Sequence, residues 1–192
     1  MYTNCHTYYS LRYGTFSEVE LLELAAENKL SALALTDINN TSACLNFIRL
    51  ASNYNTKPVI GIDFRNGVNQ QFVGIAKNNE GFQELNMYLS DHLHHQKAFP
   101  EQAPIFKNSF VIYPFEKALE NEFQSLKTHE FIGVAVHQIN KLRFSYLKKF
   151  SDKLVIQQTV TVRNKRDFNA HRLLRAIDKN IVLSKLLSLI HI

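Results

Sequence analysis

Thr3-Asn4-Cys5-His6 has the form of an H-x-H metal pair in which the first histidine is replaced by Asn4. Two carboxylates follow at the ends of apolar runs, Asp37 after "SALALT" and Asp63 in "VIGIDF". Imidazole and carboxylate oxygen are ligands that zinc, manganese or iron accept, so His6, Asp37 and Asp63 are candidates to hold a divalent cation. Each also has a plainer reading, since a strand-end Asp commonly caps a turn or helix and a His beside Tyr8 and Tyr9 can be a hydrogen-bonded loop residue. His92, His94 and His95 in "SDHLHHQ" form a second candidate. They suit one ion poorly, because successive side chains at a helix end diverge.

Other chemistries find less support. The chain has no Walker A loop, no G-x-G-x-x-G fingerprint and no G-x-S-x-G elbow, which leaves metal-assisted hydrolysis as the enzymatic option. Cys5 and Cys44 are far apart and form no C-x-x-C, so reduced thiols in a cytoplasm fit better than a disulfide framework or a zinc ribbon. Twenty-two Lys and Arg against 17 Asp and Glu give a net charge of +5, which admits a polyanionic partner without demanding one. The basic runs "KKFSDK" (148–153) and "RNKRDFNAHRLLR" (163–175) read as solvated faces. No apolar run is long enough to span a membrane, and the first 15 residues lack the order of a signal peptide.

The elements that must position these residues alternate. "SEVELLELAAENK" (17–29) reads as a helix capped by Ser17, "SALALT" (31–36) as a buried strand, and "TSACLNFIRLASNYN" (41–55) as a helix opened by Thr41 or Ser42. Strands follow at "VIGIDF" (59–64) and "QFVGIAK" (71–77), then a helix at 79–93 and a polar loop at 94–109. "SFVIYP" (109–114), "EFIGVAV" (130–136) and "KLVIQQ" (153–158) resume the strand rhythm, and 166–187 is helical at its start. Seven or so strands alternating with helices predict one α/β domain, a barrel or an open sheet, mostly parallel, with chemistry at the carboxyl ends of the strands.

The stretch from "NCHTYYSLRYG" to "KPVIGIDF", with "FVGIAKNNEGFQELNMYLS" and "RDFNAHRLLRAID" further on, resembles the N-terminal PHP (polymerase and histidinol phosphatase) domain of bacterial DNA polymerase III α subunits. In that family the pattern runs H-x-H-S-x-x-S-x-x-x-G, then A-L-T-D-H, then K-P-x-x-G-x-E. The resemblance implies a distorted (β/α)7 barrel over residues 1–192, with the chain a fragment of a much longer polymerase. It also implies the ligand positions: the family's first histidines fall on Asn4 and His6, its T-D-H on Asp37 and Ile38, its glutamate on Asp63, and its late D-x-H pair on Thr159 and Thr161. Active relatives hold up to three metal ions that hydrolyse phosphoesters. With Asn4, Ile38, Thr159 and Thr161 in place of ligands, the expectation is a remnant site with no catalytic residues that binds at most one zinc or manganese ion weakly. The partners implied are the polymerase core, the proofreading subunit of related proteins, and DNA through a parent chain that uses magnesium. The rivals are a free-standing metal-dependent phosphoesterase of the same superfamily and a non-catalytic domain that binds DNA or protein.

Overall fold

A computed structural model describes residues 1–186. Its elements in chain order are β1 (Tyr2–Cys5), α1 (Glu18–Glu27), β2 (Ala32–Leu35), α2 (Cys44–Ala51), β3 (Lys57–Asn66), β4 (Asn69–Ala76), α3 (Asn79–His94), β5 (Ser109–Pro114), α4 (Phe115–Glu120), β6 (Glu130–Val134), α5 (Ile139–Arg143), β7 (Leu154–Ile156), β8 (Thr159–Val160) and α6 (Lys165–Asp178). The strands join in one curled sheet of order β7-β6-β5-β4-β3-β2-β1-β8. This is the expected α/β barrel-type domain with an eighth strand. β8 holds two residues and pairs in parallel with β1, setting Asn4 opposite Thr159 and Cys5 opposite Val160.

Local chemistry fixes the helix starts. Ser17 and Glu20 make a reciprocal capping box at α1, while Asn78 and Asn164 accept backbone N–H groups at the starts of α3 and α6. α2 begins later than expected, at Cys44. Neither Thr41 nor Ser42 caps it, because the Thr41 hydroxyl is drawn to Asn86 across the surface. The segment 166–187 is helical at its start as expected, through α6 to Asp178, and Asn180 then takes a left-handed φ of 50°. The last residue of that expected segment, 187, lies outside the described residues.

The mostly parallel expectation fails at β4, which runs antiparallel to both β3 and β5. β3 and β4 form a hairpin closed by Gly67 and Val68, and Gly67 has the φ of +62° that such two-residue loops require. The signal was the "NGVN" between the two apolar runs.

Strand alternation then sorts the side chains. Cys5, Leu33 and Leu35 pack with Leu21, Leu22 and Phe47 beneath α1 and α2, and Ile62, Phe64 and Phe72 pack with Leu85 and Leu89 beneath α3. The intervening residues, Asn4, Ala34, Asp63 and Arg65, take the other face, where Asn4, Asp63 and Arg65 are polar and buried. Phe64 anchors the larger cluster, with Phe72, Tyr88 and Phe99 rings around it at centroid distances of 4.9, 5.5 and 5.2 Å. Phe64→Ala is therefore expected to lower stability by about 3–5 kcal/mol in urea unfolding, as a cavity walled by rings already held elsewhere cannot collapse.

Candidate functional site

β1, β2 and β3 are neighbours, so their carboxyl ends bring Asn4, His6, Asp37 and Asp63 together as the sequence predicts. They do not line an open cleft. Asn4, His6 and Asp63 are 0% exposed and Asp37 is 1% exposed. A polar side chain so buried must find its partners within the protein, and the partners are specific.

Asp37 is satisfied by the loop after β1. Its Oδ1 accepts the Thr7 N–H at 2.6 Å and the Ser10 hydroxyl at 2.7 Å, and its Oδ2 accepts the Thr7 hydroxyl at 2.7 Å. Ser10 Oγ also accepts the N–H of Ile38, and so ties the loop to the end of β2. The loop folds so tightly that a Cβ on Gly14 would fall 1.7 Å from the Thr7 carbonyl oxygen, and only glycine fits.

Asn4 and Thr159 bond each other, Asn4 Nδ2 donating to Thr159 Oγ1 at 3.0 Å. The Asn4 carbonyl accepts from the Thr36 hydroxyl at 3.0 Å. His6 and Thr161 meet in the same way, with Nδ1 3.1 Å from Thr161 Oγ1. The other ring nitrogen, Nε2, lies 3.0 Å from Asp63 Oδ2. With Nε2–H donating to the carboxylate, Nδ1 of the neutral ring accepts from the Thr161 hydroxyl. Ile38 bridges to Asp63 through the backbone.

The decisive side chain is Arg65, two residues beyond Asp63 on the same face of β3. Its Nε and Nη2 donate to Asp63 Oδ2 at 3.0 and 2.8 Å. Arg65 is itself 7% exposed, and its guanidinium lies over the Tyr13 ring at 5.0 Å. Burial would raise the Asp63 carboxyl, but the Arg65 charge and the His6 hydrogen bond outweigh it and hold the group down to about 2. Burial would lower Arg65, and Asp63 more than reverses that, so the guanidinium stays charged.

Tyr13 and Arg65 separate this buried network from a cleft of about 750 Å³, which they line together with Gln157, Thr159 and Arg175. Arg175 lies over the same Tyr13 ring at 5.5 Å, and His171 Nδ1 donates to the Tyr13 carbonyl at 2.7 Å. The stretch 163–175 is thus not simply a solvated face: His171 and Arg175 are buried, and Arg163 ties Glu20 to Asp167. These residues and Arg65 were missed in the sequence. The D-x-R spacing inside an apolar strand was the available sign of Arg65.

The residues present do not fit a metal ion. Both oxygens of Asp37 and both nitrogens of His6 are engaged, and Asp63 Oδ2 already accepts three bonds. Asp63 Oδ1 is buried without a hydrogen-bond partner among the described residues, a single free donor where zinc needs about four. A divalent ion about 4 Å from a guanidinium also meets a repulsion on the order of 8 kcal/mol at an effective dielectric near 20. At the second candidate, the His92 ring stacks on Phe99 at 4.9 Å, His95 Nδ1 turns back to the Asp91 carbonyl, and the His94 and His95 rings stand at 89°. Those three side chains diverge.

The PHP domain family matches residues 3–131. This chain belongs to the PHP family. The PHP chain is 38% identical over 87 residues to the DNA polymerase III subunit α of Ureaplasma parvum, a match of 45% of this chain and 9% of that protein. It is 38% identical over 93 residues to the same subunit of Mycoplasma genitalium, covering 45% of this chain and 10% of that protein. The chain thus spans about a tenth of the length of the curated relatives it matches. Among solved structures it is similar to an amidohydrolase from Chromobacterium violaceum, at 12% identity and a TM-score of 0.38, over 94% of this chain and 84% of that one.

Acid should dismantle the PHP site in two stages. His171 is held below its ordinary value, first by burial and then by the neighbouring Arg175 and Arg65 charges, against the opposing Tyr13 bond. A base with a lowered folded value loses stability as pH falls below its ordinary 6.5. Asp63, an acid with a lowered folded value, keeps its full contribution above the ordinary 3.8 and loses it as pH falls through about 2. Urea unfolding across this range should show His171→Gln flattening the upper slope alone and Asp63→Asn flattening the lower one alone. Identical profiles for both variants and the parent would refute these assignments.

Proposed function

We propose that this PHP domain belongs to a bacterial replicative DNA polymerase III α chain and acts there as a packing element without chemistry of its own. The observation that carries the reading is the engagement of His6, Asp37 and Asp63 by protein partners at the positions where the family pattern places metal ligands. The match to polymerase α subunits supports the parent identity. The parent would extend DNA from deoxynucleoside triphosphates with magnesium in the cytoplasm. The domain would meet DNA only through that chain, and would pack against the polymerase core, with the proofreading subunit in the same assembly. Val136, Ile139 and the 92% exposed Phe144, around α5, are exposed apolar side chains available to such packing. His6, Asp37 and Asp63 would retain at most one weakly held zinc or manganese ion.

The rival is a free-standing phosphoesterase of the superfamily, and two measurements separate the readings. The protein, loaded with zinc or manganese, is expected to hydrolyse neither a phosphomonoester nor single-stranded DNA ends, and its unfolding midpoint should be the same with and without a strong chelator. Turnover abolished by His6→Ala, or a midpoint that drops by several degrees in chelator and returns with metal, would establish a live metal centre. The native reading frame gives an independent check: one that ends near residue 192 would remove the polymerase parent.

A further inference from the structure

We infer that Arg65 is the built-in cation of this site: its guanidinium takes the place of a metal ion on Asp63 and keeps divalent metal out. The inference deepens the metal-poor reading above and rests on it.

Three observations carry it. Asp63 is sealed from water and its carboxylate receives no backbone N–H or hydroxyl donor among the described residues, so its charge is met by the side chains on Oδ2, of which Arg65 is the cation. Arg65 supplies that cation through two donors on one oxygen, Oδ2, and the same oxygen receives His6. The guanidinium is in turn fixed against the Tyr13 ring, which also touches His6 edge-on at 5.4 Å. One side chain from β3 therefore joins the carboxylate, and through it the imidazole, as a shared metal would. Unlike a metal it cannot dissociate. A planar guanidinium that stays charged when buried suits this better than an ammonium.

The chemistry predicts what its removal exposes. Without Arg65, Asp63 has two oxygens and His6 has Nε2 to offer at the mouth of the cleft, beside a cavity in which water can complete the coordination. Arg65→Met keeps the stem length and deletes the charge.

The test measures zinc and manganese affinity by competition with a chromophoric chelator, and unfolding midpoints with and without EDTA, on the parent protein, Arg65→Met and Arg65→Lys. Arg65→Met should bind zinc about tenfold or more tightly than the parent, a change of the size that rearranged metal surroundings produce. It should also acquire a midpoint that chelator lowers. Arg65→Lys keeps the charge and should stay at the parent's affinity, and Arg65→Met combined with Asp63→Ala should lose the gain. Unchanged zinc affinity in Arg65→Met overturns the inference while leaving the metal-poor reading intact. An equal gain in Arg65→Lys also overturns it, since charge would then not be what excludes the ion. Tight zinc binding by the parent itself defeats the metal-poor reading.

If Arg65→Met unfolds without metal, refolding on zinc addition supports the inference. If it unfolds in both conditions, Asp63→Asn with Arg65→Met decides. A double variant that folds where the single does not shows that Arg65 is there as the counter-charge of Asp63; a double variant equally unfolded shows that it acts by packing and overturns the proposal.

Discussion

A carboxylate without access to water stays ionised only where cations or hydrogen-bond donors meet it, and the polar face of this sheet is arranged around a cation at Asp63. The answer comes from the same strand. Alternation along β3 places Arg65 on the face of Asp63 while Ile62 and Phe64 turn to the opposite side, into the core beneath α3. Tyr13 then covers the guanidinium, His171 holds the Tyr13 backbone, and Arg175 approaches the same ring. His6 takes the remaining approach to Oδ2 and passes its second nitrogen to Thr161. Remove the ion pair and His6 Nε2 and the Tyr13 ring lose the groups they are built against.

The polar residues on this face are coupled in space. Asn4 and Thr159 stand opposite each other in the β1–β8 register and bond directly. His6 and Thr161 repeat the arrangement one step along. Asp37 is different: its three donors all come from the loop held tight at Gly14, and its role is to anchor that loop to β2.

Much of this was legible in the sequence because it follows from period and punctuation. The 2-residue rhythm of "SALALT" and the Ser17 to Glu20 spacing specify β2 and the start of α1 with little help from the rest of the chain. The meeting of His6 with Asp63 was also legible, as a consequence of strand ends converging. The reversal of β4 was not read, although "NGVN" carried the sign, because apolar runs show strand length and leave direction open. β8 is too short for any periodicity to register. His171 and Arg175 were hidden for a different reason: a charged residue in an otherwise polar or amphipathic stretch reads as solvated, and only the fold shows which one faces a buried ring, whereas Arg65 stood just past the end of the apolar run and its D-x-R spacing went unread.

The pairing of β1 with β8 sets a timetable for synthesis. β1 is an interior strand of the sheet, yet one of its neighbours comes from residues 33–35 and the other from residues 159–160. As the chain emerges vectorially, β1 can dock on β2 early. Its far edge, with the Asn4 and His6 side chains, stays unpaired until more than 150 further residues have been made. A strand that waits with one open edge is exposed to pairing with the wrong partner. The polar residues at its carboxyl end make that edge a poor template for apolar association, so the chemistry that closes the native site also protects the nascent one.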